Sequence, residues 1–157
     1  MAQGAGSIEC GYRVHDSRLM EFQQRAHREL YSRVADYLAS AFGELHEVIE
    51  QAPAFRLRLG RVRVLVSVEA IGPGKAAVTL YTVIADGLAI TPDVAMFLLR
   101  RNYDTPFGSL CLTHDGAIGL HHILLDASVT QETLPTLLNL MSSFAEQIDD
   151  ELDATFR

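Results

Sequence analysis

Four arginines spaced along two neighbouring segments are the side chains of this sequence best suited to binding a ligand. They are Arg56, Arg58, Arg61 and Arg63, on either side of Gly60. The planar guanidinium binds carboxylates and other anions through two parallel hydrogen bonds. If the two segments pair as strands, the arginines form a basic patch that captures an acidic partner segment or an anion. The alternative is a solvated face, or ion pairs with an acidic stretch near the C-terminus: Glu146, Asp149, Asp150 and Glu151.

A second group of residues has the composition of a hydrolase site. If Asp115-Gly116 forms a two-residue turn, Ser109 pairs with His122, and Ser109, Cys111 and His122 share one face of a hairpin. A nucleophile beside a base is typical of serine and cysteine hydrolases. However, no carboxylate follows at an orienting position, and no glycine-rich nucleophile elbow is present. The pattern therefore favours a half-buried strand histidine, and we predict no catalytic residue and no enzyme.

Metal and phosphate motifs are also missing from the sequence. It contains no HExxH, CxxC or aspartate-rich calcium loop. His15, His27 and His46 do not fall on a common helical turn, and the adjacent His121 and His122 point to opposite faces of a strand. Gly72-Pro73-Gly74-Lys75 lacks the rest of a phosphate loop and indicates a hairpin turn. We expect neither a metal nor a cofactor.

Length and charge narrow the class of protein further. A chain of 157 residues fits one domain. The net charge of −7 argues against direct nucleic-acid binding and suits a basic protein partner. No apolar run reaches the roughly 18 residues that span a bilayer, and the N-terminus lacks signal-peptide features, so we expect a cytoplasmic protein without membrane contact. Cys10 and Cys111 are expected to be reduced thiols.

The first half of the chain predicts a helix followed by a three-stranded meander. Residues 1–17 show no periodicity and predict a loose segment before a single domain at 18–157. Apolar residues then recur at steps of three and four from Leu19 to Phe42, which predicts an amphipathic helix, with a second short helical piece up to Pro53. Alternation reverses at Gly60, which predicts a hairpin or a bulge between two strands. After the Gly72–Gly74 turn, residues 76–85 predict a third strand.

The second half predicts a helix, a hairpin and a long final helix. Thr91-Pro92-Asp93 combines a capping hydroxyl, a proline for the first turn and a favourable acid, and this helix should end near Asn102. Residues 107–113 and 117–125 predict two strands. For the last helix, Thr133 is a better cap than Ser128, because it places Pro135 in the first turn. The result is an α+β fold with an antiparallel five-stranded sheet, helices on one side, and the order α-β-β-β-α-β-β-α.

The order of elements and four local features together resemble a known group of proteins. The features are Leu98-Leu99-Arg100-Arg101-Asn102, Phe107-Gly108, the Asp-Gly hairpin and the long C-terminal helix. The chain is similar to the YbjN family and to the class I type III secretion chaperones, over about residues 30 to 155. The resemblance implies a non-enzymatic protein-binding module, commonly a homodimer, without cofactor. It also implies a regulatory or stress role rather than service to one secreted effector. The N-terminal extension up to about Arg28 departs from the family pattern and bears on the geometry of a dimer.

The resulting prediction is a chaperone-like or adaptor module of the YbjN type in the bacterial cytoplasm. It would bind a segment of a partner protein along a sheet edge or an exposed apolar surface. The alternative is a domain that senses a small anionic ligand through the arginine patch.

Overall fold

The computed structural model describes residues 22–157. The predictions for the loose segment 1–17 and for Cys10 and His15 lie outside these residues. The first helix was predicted to run from Leu19, but residues 22–24 are not helical and the helix begins at Arg25. The elements follow in the order α1 (Arg25–Phe42), β1 (His46–Ile49), β2 (Ala54–Leu59), β3 (Val62–Gly72), β4 (Lys75–Ala85), α2 (Pro92–Asp104), β5 (Ser109–Leu112), β6 (Ile118–Leu125) and α3 (Thr133–Phe156). Short 3₁₀ turns at Gly43–Leu45 and Asp126–Ser128 precede β1 and follow β6.

The sheet contains six antiparallel strands in the order β1-β2-β3-β4-β6-β5. The predicted count of five strands is wrong, because the stretch expected to continue the first helix is strand β1. Its Val48 lies opposite Phe55, and Ile49 opposite Ala54. Three apolar residues at steps of three and one do not define a period, and the β-branched Val48 and Ile49 favour a strand when a partner strand is available.

The predicted α+β architecture, with an antiparallel sheet and three helices, is otherwise confirmed. Gly60 and Arg61 connect β2 to β3, with Leu59 opposite Val62, and Gly60 has the positive φ of 59° that this tight turn requires. Helix α2 begins after Thr91, whose Oγ1 accepts a hydrogen bond from the Val94 N–H at 3.3 Å. Helix α3 begins at Thr133, so Pro135 stands in its first turn, where no hydrogen-bond donor is needed. Thr133 is the first helical residue and not the cap, as was predicted, because the cap position is occupied by Glu132.

The helices cover one face of the sheet and form the core with it. Helices α1 and α3 both pack against β3 and β4, and α2 packs against β5. Fully buried residues on this face include Leu30, Val34 and Leu38 of α1 and Phe55, Leu57, Val64, Val66 and Leu80 of the sheet. Each such side chain stabilises the fold by roughly 1.5–3 kcal/mol through removal from water. The opposite side, called here the open face, carries the alternate residues of the same strands.

A polar clasp fixes α2 to the edge strand β5. The side chain of Asn102 accepts a hydrogen bond from the Leu110 N–H at 2.6 Å and donates one to the Leu110 carbonyl at 3.1 Å. One amide side chain thus takes the place of a neighbouring strand at this edge. The clasp was not predicted from the sequence.

Candidate binding surface on the open face

Three of the four predicted arginines lie together on the open face. Arg58 of β2 and Arg63 of β3 are direct partners in the strand register, and both are exposed. Arg56 lies two residues before Arg58 on the same side of β2, opposite Leu65. The alternation of buried and exposed residues in β2 and β3 accounts for this placement, because successive side chains point to opposite faces.

Arg61 does not join this group. It occupies the β2–β3 turn, where its backbone N–H donates to Glu146 Oε1 at 2.9 Å and its guanidinium donates to Asp150 Oδ1 at 2.9 Å. The hydrogen bond and the charge of Asp150 raise the pKa of Arg61. For this arginine, the expected pairing with the acidic stretch of the last helix is what the structure shows. Glu151 of the same stretch pairs instead with Arg101 of α2.

The remaining arginines differ in their partners. Arg56 lies 3.4 Å from Glu47 in an exposed ion pair, which contributes little in water. Arg58 and Arg63 make no ion pair with any residue between 22 and 157. Like charges directly opposite in an antiparallel pair cost up to about 1 kcal/mol. A carboxylate placed between these two guanidinium groups would remove that repulsion.

Exposed apolar side chains lie on the same face as the arginine pair, and the half-buried Tyr81 and His121 and the buried Thr79 stand between them along β4 and β6. The register places Val83 beside Arg63, Ile123 opposite Thr79, and Leu125 opposite Ala77. Val83, Ile123 and Leu125 are 49%, 52% and 59% exposed. Residues 77 and 83 are six positions apart on β4, so the surface extends about 20 Å along the strand at about 3.3 Å per residue. We call the surface formed by Arg58, Arg63, Val83, Ile123 and Leu125 the docking strip.

The predicted juxtaposition of Ser109, Cys111 and His122 is wrong by one residue of register. Ser109 lies opposite His121, because the β5–β6 loop holds three residues rather than two. The Thr113 N–H donates to the Ala117 carbonyl at 2.9 Å, and Gly116 takes a φ of 90°, the geometry of a bulged three-residue hairpin. His122 therefore points to the helix-covered face, where its ring meets Phe107 edge-on at 6.4 Å.

The sheet places Ser109 of β5 directly opposite the half-buried His121 on the open face, while the half-buried His122 lies on the covered face. Burial lowers the pKa of His121, and burial together with the charge of His121 lowers the pKa of His122. No hydrogen bond joins Ser109 to His121 within the described part of the chain. Partial burial therefore favours the neutral form of both imidazoles.

The structure also places the remaining histidines and the Gly72–Gly74 turn. Among residues 22–157, no group of His, Cys, Asp or Glu could hold a metal ion. His27 is buried with Nε2 2.8 Å from the Val68 carbonyl, and His46 contacts the Gly43 carbonyl through Nδ1. The Gly72–Gly74 turn is held by Gln24, whose side chain donates to the Gly72 carbonyl at 2.7 Å and accepts from the Gly74 N–H at 2.6 Å. None of the helices in this part of the chain is long and apolar enough to cross a membrane.

A second exposed apolar surface lies on α2. Met96, Leu99 and Tyr103 are 47%, 63% and 91% exposed, on the side of the helix away from the buried Val94 and Leu98. A groove of about 460 Å³ runs between this helix and Phe156. The spacing of three and four residues between Met96, Leu99 and Tyr103 could have revealed this stripe in the sequence, because these residues lie on a different side of the helix from Val94 and Leu98.

Comparison with known proteins identifies relatives of this arrangement. Residues 28–157 match the family TY-Chap1, described as T3SS (YopN, CesT) and YbjN peptide-binding chaperone 1. The fold is similar to that of the type III secretion chaperone SycH from Yersinia pestis, solved in complex with a stable fragment of YscM2. The TM-score is 0.55 at 14% sequence identity, covering 75% of this chain and 98% of that chain. No curated protein matches the sequence.

Proposed function

Because this chain belongs to the TY-Chap1 family of peptide-binding chaperones, we propose that it is a non-enzymatic module that binds a segment of a partner protein. The family membership confirms the resemblance on which the prediction rested. The observation that carries the proposal is the docking strip, where exposed apolar side chains and two arginines without an ion-pair partner among residues 22–157 share the sheet face opposite α1 and α3.

The shape of this surface favours a polypeptide over a small molecule. Pockets for small ligands are concave and usually enclose about 300–1,000 Å³. A space of about 50 Å³ beside Arg61 and the α2 groove are two cavities of the described residues, and neither is lined by Arg58 or Arg63. A flat strip about 20 Å long matches an extended segment of about six residues.

Family membership and charge support a proposal for the wider role. We assign the protein a chaperone-like or adaptor function of the YbjN type, in a regulatory or stress response in the bacterial cytoplasm. At long range, the net charge of −7 favours encounter with a basic partner protein.

A homodimer formed through α2 is part of this proposal. Burial of Met96, Leu99 and Tyr103 against a second copy would remove the most exposed apolar stripe on the helices from water. Sedimentation should show a dimer for the natural chain and a monomer for Leu99→Glu. An unchanged dimer in that variant would place the interface elsewhere.

The binding role is tested by affinity capture with matched variants. Tagged protein is incubated with lysate of its own cells, and captured proteins are measured by mass spectrometry. We expect one dominant partner for the natural chain and for the control Leu45→Ser/Leu140→Ser, which removes two exposed leucines elsewhere. Ile123→Ser/Leu125→Ser should capture at least about tenfold less, a loss of about 1.4 kcal/mol. Equal capture by both variants, or no enriched protein at all, would contradict the proposal.

A small-anion sensor is the second candidate, and the arginine pair is the observation that favours it. Such a protein would gain melting temperature in a saturable way with an anionic metabolite. The Arg56→Ala/Arg58→Ala variant should abolish that gain. If the gain survives in the variant, the open face is not the anion site.

A further inference from the structure

The charge of the docking strip is opposite to the charge of the protein as a whole. The chain has a net charge of −7, yet Arg58 and Arg63 stand opposite each other on the open face with no acidic partner in residues 22–157. Arg61, three residues from Arg58, has two such partners on α3. Acidic side chains are therefore within reach of the same hairpin but are arranged on its other side.

We infer that the docking strip receives an acidic–apolar segment of the partner protein, with carboxylates on Arg58 and Arg63 and apolar side chains on Val83, Ile123 and Leu125. This inference rests on the proposed function and specifies the chemistry of the partner. Arginine is suited to the task because its fork binds a carboxylate through two hydrogen bonds. The partner protein as a whole can be basic while its docking segment is acidic, because the contact depends on local charge.

The backbone that presents the arginines is already fixed before binding. Ser142 Oγ of α3 donates to the Leu59 carbonyl at 3.0 Å, and Glu146 accepts from the Arg61 N–H. These bonds hold both sides of the β2–β3 turn against the longest helix. A rigid frame lowers the entropy cost of ordering the binding surface, so a short segment can bind with useful affinity.

Three other occupants fit the strip less well. A free anion would meet Arg58 and Arg63 as exposed side chains, whereas small-ligand sites usually enclose their ligand. A second copy of the chain is placed on α2 by the proposed dimer, so the strip on the opposite face of the sheet stays available for another occupant. Residues 1–21 of the same chain carry Glu9, Asp16 and Glu21 against Arg13 and Arg18, so they supply little net negative charge.

The test uses the full chain and defined peptides. The probe is a fluorescein-labelled peptide of about ten residues, with adjacent Glu and Asp at one end followed by Leu and Val at alternate positions, long enough to cover about 20 Å. Its counterpart has Lys in place of both acids. Binding is followed by fluorescence anisotropy for the natural chain, for Arg58→Gln/Arg63→Gln, and for the control Arg25→Gln/Arg157→Gln, which makes the same charge change in two exposed helix pairs.

The expected result is selective binding of the acidic peptide. Arg58→Gln/Arg63→Gln should weaken it at least about tenfold, whereas the control should change it less than about twofold. Raising the salt concentration from ~50 to ~500 mM should weaken binding to the natural chain more than binding to the variant, because screened charges carry part of the affinity.

Several outcomes would overturn the inference. The inference fails if the Lys peptide binds as tightly as the acidic peptide, or if Arg58→Gln/Arg63→Gln binds the acidic peptide as tightly as the natural chain does. It also fails if free glutamate or citrate competes fully with the peptide. A synthetic peptide of residues 1–21 that binds equally tightly and depends on the arginines would overturn it too. Loss of the dimer in Arg58→Gln/Arg63→Gln would also overturn it, by assigning the strip to a second copy. If the cellular partner is captured equally by the natural chain and this variant, the protein-binding function stands and the acidic segment is refuted. If no partner is captured by either, the function itself fails.

Discussion

Replacing Asn102 by alanine should destabilise the protein by about 2 kcal/mol, because it removes both hydrogen bonds of the α2–β5 clasp. The Leu110 N–H and carbonyl, which the side chain meets at 2.6 and 3.1 Å, would lose their partners at the edge of the sheet. Each neutral hydrogen bond contributes about 1 ± 0.5 kcal/mol, and more where the abandoned group stays out of water. The better helix propensity of alanine offsets this by roughly 0.5 kcal/mol.

Urea unfolding followed by circular dichroism measures this loss. For a domain of this size, about 2 kcal/mol corresponds to a melting temperature lower by about 4–8 °C. The midpoint should fall while the slope of free energy against urea stays unchanged. Asn102→Asp keeps the acceptor but loses the donor, so its stability should lie between that of the natural chain and that of Asn102→Ala. Arg100→Ala, on the exposed side of α2, is the control. A loss below about 0.5 kcal/mol for Asn102→Ala would refute the view that the clasp holds β5 in place.

Three further perturbations test other features of the fold. Gly108→Ala should lower the free energy of unfolding by about 2–3 kcal/mol, because a Cβ at this φ of 65° would lie 2.8 Å from the His121 carbonyl oxygen. The control is Gly74→Ala, which has the same φ with open space around it. Similar losses of stability in urea unfolding for both variants would rule out the clash. Ser142→Ala should lower the free energy of unfolding by about 1–2 kcal/mol, because it removes the buried hydrogen bond to the Leu59 carbonyl. The exposed Ser143→Ala is the control and should leave stability unchanged. Equal stabilities of the two variants would show that this bond contributes nothing. The lowered pKa values of His121 and His122 mean that the unfolded chain binds more protons just below the ordinary value of 6.5, so stability should be complete above about pH 6.5 and decrease on acidification to about pH 5.5. His121→Gln/His122→Gln should flatten that decrease, and an unchanged pH profile would assign it to other groups.

Much of the sheet could be predicted because the sequence carries both alternation and turn residues. The reversal of alternation at Gly60 defines the β2–β3 hairpin, and Gly72-Pro73-Gly74 defines the next turn. Strand β1 could not be predicted in the same way. It is four residues long and becomes a strand by pairing with β2, an interaction between segments that local periodicity does not contain.

The site was predictable in composition but not in arrangement. Alternation alone correctly placed Arg56, Arg58 and Arg63 on one face. That Arg61 turns to α3 depends on the packing of a helix more than 80 residues later. The register of the β5–β6 hairpin depended on whether Asp115-Gly116 closed a loop of two or three residues, and both lengths suit that dipeptide. The α2 stripe and the Asn102 clasp depend on which face of α2 packs against the sheet.

The position of α3 in the chain has a consequence for synthesis on the ribosome. The core face of β3 and β4 is covered in large part by α3, whose buried residues extend from Leu134 to Leu152. The 63 residues from Asp86, just after β4, to Ile148 take roughly 3 to 13 seconds to translate at about 5–20 residues per second. For that interval the part of this core face that α3 later covers stays exposed to water. The nascent chain should therefore itself be a client of general cellular chaperones until its final helix emerges.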